Sequence, residues 1–176
     1  MTVKPISLLP LVAILLLAAT PLRAAEQGTV QAAIPWEGQG RVFQIGSSRV
    51  QFLGALKGVM YIENSKGDMH EGFVLCPIMQ IIDTETGMSE ASGHCEITAG
   101  PDDVVYAEIS CKGQVGDCTG KFLLTDGEGK FAGISGEGNV RVRSPLQQLA
   151  SDLGSGASVR VASGLAVIRD LKFSIP

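Results

Sequence analysis

From residue 41 onward the chain is a succession of short runs rich in β-branched and aromatic residues, separated by clusters of Gly, Asp and Asn. The runs cover residues 41–45, 49–56, 58–63, 72–82, 89–98, 103–111, 118–125, 137–143, 157–162 and 164–175. No stretch after residue 25 sustains the helical period. Short strands at this spacing, joined by glycine-rich turns, predict an all-β antiparallel sandwich or barrel. Residues 26–40 read as an irregular lead-in, residues 41–176 as one domain, and residues 146–153 as a short helical turn.

Four cysteines, Cys76, Cys95, Cys111 and Cys118, test how the runs pair. In an antiparallel pair the numbers of opposed residues share a constant sum. A two-residue loop at Glu85-Thr86 makes that sum 171, which sets Cys76 opposite Cys95. A loop at Gln114-Val115 makes it 229, which sets Cys111 opposite Cys118. Two disulfides, Cys76–Cys95 and Cys111–Cys118, follow, because directly opposed α-carbons are close enough to bridge. Zinc is the rival for four cysteines, but there is no CxxC pair and only His70 and His94 add nitrogen ligands.

The same register sorts the side chains. With a sum of 202 for the turn near residue 100, Val74, Cys76, Ile78, Cys95, Ile97, Val105, Ala107, Ile109, Phe122, Leu124, Val140 and Val142 share one face. The opposite face carries His94, Glu96, Glu108, Lys121, Arg141 and Arg143, with the two arginines expected to meet Glu96 or Glu108. An apolar side backed by a charged one suits a sheet curled around its own core. The 72–82 run departs from this pattern. Its outward residues Phe73, Leu75, Met79 and Ile81 are apolar, so this face is expected to be covered by the chain termini or a second copy.

The N-terminus predicts export. Lys4 precedes an apolar run at 6–19, and small residues lead to Ala25, the layout of a cleavable secretory signal at 1–25. A retained anchor is the alternative, although the run falls short of the ~20 residues a spanning helix needs. The leader contains Lys4 and Arg23, so the 14 basic residues fall to 12 against 18 acids, a net charge of −6. That balance argues against nucleic acid or an anionic membrane as partner. No later run is long enough to span a bilayer, and the location expected is periplasmic or secreted.

The face that carries the core holds no acid, base or nucleophile beyond the bridged cysteines, so no catalytic residue is assigned. His94 falls on the outer face and His70 in a turn with Asp68 and Glu71, too weak a set to assign a metal. No cofactor motif is present: the glycine-rich stretch 127–138 lacks the Gly-Lys-Ser/Thr order of a phosphate loop. Tyr61 and Glu63 on the 58–63 run, together with Phe122, are the candidate ligand-binding residues, on the expectation that the Tyr–Glu pair stands at a barrel mouth. Trp36 is expected to plug one end, and Phe131 to anchor the glycine-rich corner from within.

The stretch Leu124-Thr125-Asp126-Gly127-Glu128-Gly129-Lys130-Phe131-Ala132-Gly133 resembles the TGGTGxFAG corner of allene oxide cyclase and dirigent-like barrels. Asp126 stands where that pattern prefers glycine. The closing residues 170–176 suit the last strand of such a barrel, and the four-cysteine layout is similar to that of its exported bacterial members. The resemblance covers residues 40–176 and implies a single barrel of about eight strands, often self-associating as dimers or trimers. Plant members orient or cyclise small molecules in an apolar cavity, but no catalytic residue of theirs has a counterpart here. The reading is a non-catalytic module that binds a small apolar ligand or serves structurally, with self-association through Phe73, Leu75, Met79 and Ile81. The alternative is a cyclase- or isomerase-like enzyme using Tyr61 and Glu63.

Overall fold

The computed structural model describes residues 25–145 and 158–176. The expected signal peptide and the helical turn at 146–153 lie outside the described residues. Eight strands follow in chain order: β1 (Glu26–Gln44), β2 (Arg49–Asn64), β3 (Met69–Asp83), β4 (Met88–Thr98), β5 (Val104–Gln114), β6 (Asp117–Gly127), β7 (Ser135–Arg143) and β8 (Ser158–Ile175). Each pairs antiparallel with its neighbours in sequence, and β8 pairs with β1 to close the barrel.

Residues 26–40 are not an irregular lead-in. They form most of β1, hydrogen-bonded to β2 on one side and β8 on the other. Their pattern has a period of two: Val30, Ala32, Ile34, Trp36 and Val42 lie on the inner, more buried side, alternating with Gln31, Pro35, Glu37 and Arg41. Pro35 and the glycines disguise it. Pro35 has no N–H to donate, and the β2 ladder lapses beside it, while on the other side it still pairs with Leu165 of β8. The runs 49–56 and 58–63 are likewise one strand, β2, and the last two runs make up β8.

The register of β3 on β4 follows the expected sum, with Val74 opposite Ile97 and Ile82 opposite Ser89. The loop itself has four residues, held by Asp83, whose Oδ1 accepts hydrogen bonds from the backbone N–H groups of Glu85 (3.0 Å) and Thr86 (2.9 Å). Cys76 and Cys95 are bridged with α-carbons 4.1 Å apart. β4 on β5 also pairs as expected, Cys95 opposite Ala107. The β5–β6 hairpin differs. Its loop is Val115-Gly116, one residue further on, because Gly116 takes the left-handed conformation (φ 84°) that the reversal needs. Cys111 therefore faces Gly120 and Cys118 faces Gly113. The two cysteines are bridged diagonally across 5.5 Å. A shift of two residues in the sum leaves every side chain on its expected face.

The core lies inside the barrel. Phe122 and Ile168 are fully buried, and Met60, Val74 and Ile82 nearly so. Where β6 turns toward β7, a single 3-10 turn at Gly129–Phe131 leads to buried Ile134, and Phe131 packs against the main core as expected. The closing seam is bulged at Asp170, which adopts φ 51°. Gln31 clamps it: its Nε2 donates to Asp170 Oδ1 (2.9 Å) and its Oε1 accepts from the Asp170 N–H (3.2 Å).

Two outcomes test this account by urea denaturation. The loop-entropy model, with sequence separations of 19 and 7 between the bridged cysteines, expects the Cys76→Ala/Cys95→Ala variant to lose about 3 kcal/mol and Cys111→Ala/Cys118→Ala a little less. Phe122→Ala, which removes a fully buried ring, is expected to cost about 3–5 kcal/mol.

Candidate functional site

Because the strands run up and down in order, the connections alternate between the two ends of the barrel. One end gathers the β2–β3, β4–β5 and β6–β7 connections. It is filled by the main core, with Phe131, Ile134, Phe173 and Ile175 packed in it. The other end is filled less. There a smaller cluster of Phe52 and Ala162, flanked by Trp36, Val42 and Ile78, borders a cavity of about 100 Å³.

The cavity comes from a local run of small inward residues. On β4 the inner positions are Ser89, Ala91 and Gly93, and on β8 Ala162 faces the same space, while bulk comes from Phe52, Ile78, Ile82 and Ile109. Trp36 reaches in from β1 over a neighbour that has no side chain: a Cβ on Gly164 would lie 2.7 Å from the indole Cε2. The ring lines the cavity as part of its wall.

Most of the wall is apolar. Of its polar groups, Ser144 donates from Oγ to the Ser163 carbonyl (2.8 Å), and Gln114 donates from Nε2 to Met88 Sδ (3.1 Å). Among the described residues Asp117 is the one titratable residue that lines it, and its carboxylate accepts two hydrogen bonds from Arg141, from Nε (2.8 Å) and Nη2 (2.5 Å). Arg143 stands 3.8 Å away. The arginines thus meet Asp117, not Glu96 or Glu108. Asp117 starts β6 directly opposite Arg143, whereas Glu108 and Glu96 lie one and two strands further round. Two other groups are buried without a hydrogen-bond partner among the described residues: the indole Nε1 of Trp36 and the hydroxyl of Ser89, a residue 3% exposed. Each unmet donor costs about 1–3 kcal/mol.

The predicted ligand residues are not brought together. Tyr61 is 42% exposed on the outer face of β2, Glu63 lies on that same outer side, and Phe122 is sealed within the main core and does not line the cavity. Met60 and Ile62 are the residues β2 turns inward. No cysteine marks the register of β2, so its parity had no anchor in the sequence. The residues that do line the space were half-legible: the register already places Ser89 and Ala91 on the inner face, and a run of small residues there signals missing volume.

Outside the barrel, Phe73, Leu75 and Met79 face outward on β3 as expected, with Ile81 half-buried beside them; they are exposed, and no described part of the chain termini covers them. The pairing with β2 extends the patch, since Val59 stands opposite Phe73 and Leu53 opposite Met79. Among the described residues no helix is long and apolar enough to cross a membrane. No family model matches the chain, and no curated protein or solved structure is similar to it.

The Arg141 hydrogen bonds hold the Asp117 carboxyl below the usual 3.8, with burial opposing and both arginine charges adding to the effect. A lowered folded value means that the pair's contribution to stability is complete above the unfolded pKa and is lost as pH falls through the folded one. Arg141→Ala is expected to return the Asp117 titration, followed by carboxyl NMR, upward toward 3.8.

Proposed function

We propose that this chain is an exported, non-catalytic barrel of the allene oxide cyclase/dirigent-like type that carries a small apolar ligand. The observation that carries this reading is the cavity in the thinly packed end of a closed barrel, lined chiefly by Trp36, Phe52, Ile78, Ile82 and Ile109. A barrel of eight strands is just wide enough to be filled by side chains or to hold one small ligand. General acid–base chemistry needs a titratable group within reach of the substrate. Among the described residues Asp117 is the only such residue on the wall, and it is committed to Arg141. A cyclase or isomerase built on Tyr61 and Glu63 loses its support, because both stand outside the barrel. Export is supported by the leader-like N-terminus, by two disulfides, and by a first strand that begins at Glu26, next to the expected cleavage point.

A second property rests on the outer face of β2 and β3. Exposed Leu53, Phe73, Leu75 and Met79 form one apolar patch, and such patches on soluble proteins mark interaction surfaces. The occupant we assign is a second copy of the barrel.

Native mass spectrometry of the protein purified from the periplasm tests both. The carrier reading expects a bound small molecule that is released on unfolding; a ligand-free mass counts against it. Filling the cavity with Ala162→Phe is expected to abolish that adduct while the barrel still folds. Self-association expects a dimer or trimer that Leu75→Glu/Met79→Glu converts to monomer, and a monomeric wild type ends it.

A further inference from the structure

The two unmet polar groups border one and the same cavity. Trp36 Nε1 and Ser89 Oγ are buried, lack a partner among the described residues, and belong to residues that line this space from strands β1 and β4. Ser89 is the buried polar residue of the described core. Its neighbours on the wall are different: Ser144, Gln114 and Asp117 all find protein partners. Native proteins leave few buried polar atoms unpaired. Two around one cavity point to a partner that enters it.

The chemistry of that partner is restricted. An indole N–H only donates, and a serine hydroxyl donates as well as accepts, so a ligand that meets either group can do so with an acceptor oxygen. Among the described residues no cationic side chain lines the cavity, and a carboxylate buried without a counter-charge is strongly disfavoured. A neutral ligand fits that described wall. The volume, about 100 Å³, is below that of engineered apolar cavities that take benzene. This sets the size at a small ring or a short chain.

We propose that the cavity binds a small neutral molecule with an apolar body and one carbonyl or ether oxygen, which accepts a hydrogen bond from Ser89 Oγ–H while the Trp36 ring forms part of the wall around it. The inference rests on the carrier reading and adds the polarity, the size and the recognising hydroxyl.

The protein contains a single tryptophan, so the 15N-labelled mature chain gives one indole N–H resonance that reports directly on the site. Two probes of one shape are titrated: cyclopentanone, and methylenecyclopentane, in which a CH2 replaces the oxygen. The ketone is expected to shift the indole resonance saturably, and to bind about tenfold more tightly than the hydrocarbon, a 1.4 kcal/mol difference. Ser89→Ala, which removes only the hydroxyl oxygen, is expected to weaken the ketone about three- to tenfold and to leave hydrocarbon binding unchanged or stronger. Equal affinity for the two probes overturns the oxygen handle and leaves the carrier reading standing. Unchanged ketone affinity in Ser89→Ala removes Ser89 from the site. Saturation by neither probe, with water cross-peaks to the indole N–H instead, overturns the handle and the carrier reading together.

Discussion

The hydrogen-bonded seam between β1 and β8 is the constraint on which the rest of the molecule depends. Without it the eight strands form an open sheet with two free edges and an interior exposed to water along one side. Closing the sheet removes the edges and turns alternate residues of every strand into a common core. The seam does not close in perfect register. A bulge at Asp170, with its left-handed backbone held by Gln31, takes up one extra residue against both β1 and β7. After it Leu171, Phe173 and Ile175 point inward, where Ala166 and Ile168 did before it. Without the bulge the closing strand would present the wrong parity to the core over its last six residues.

Closure also explains why the barrel is packed unevenly. An eight-stranded interior has room for little more than its own side chains, so the choice of residue at each inward position decides whether space remains. Toward one end those positions hold Phe122, Leu124, Leu171 and Phe173, and the corner adds Phe131 and Ile134. Toward the other, β4 contributes only Ser89, Ala91 and Gly93. The contrast is local and follows from side-chain volume alone. Charge is arranged on the opposite side of the same wall, where Arg141 and Arg143 neutralise Asp117 at the mouth of β6.

Legibility followed the covalent and turn chemistry. Around the cysteines, the hairpin arithmetic places the inner face residue by residue, and the structure keeps it even where the β5–β6 loop moves by one position. The parity survives because the sum changes by two. Away from the cysteines the reading weakens. β1 was hidden because Pro35, Gly38 and Gly40 look like breaks. In this barrel Gly38 and Gly40 make room for Leu56 and Phe52, and the strand runs on through Pro35 between two partners. Tyr61 and Glu63 were drawn toward the interior for want of a register marker on β2, and the pairing with β3 turns them out.

What the sequence determined by itself is the period from residue 41 onward, the turns and the bridges: which of those runs are strands, which residues share a face around the cysteines, and which cysteines meet. These depend on neighbours a few residues apart or on a hairpin whose loop can be counted. Only the tertiary structure decided that β8 returns to β1, that β1 is a strand at all, and that Trp36 and Ser89 border one space. Those facts join residues far apart in the chain, and their cause is the closing of the sheet and the volumes left inside it, which no local pattern records.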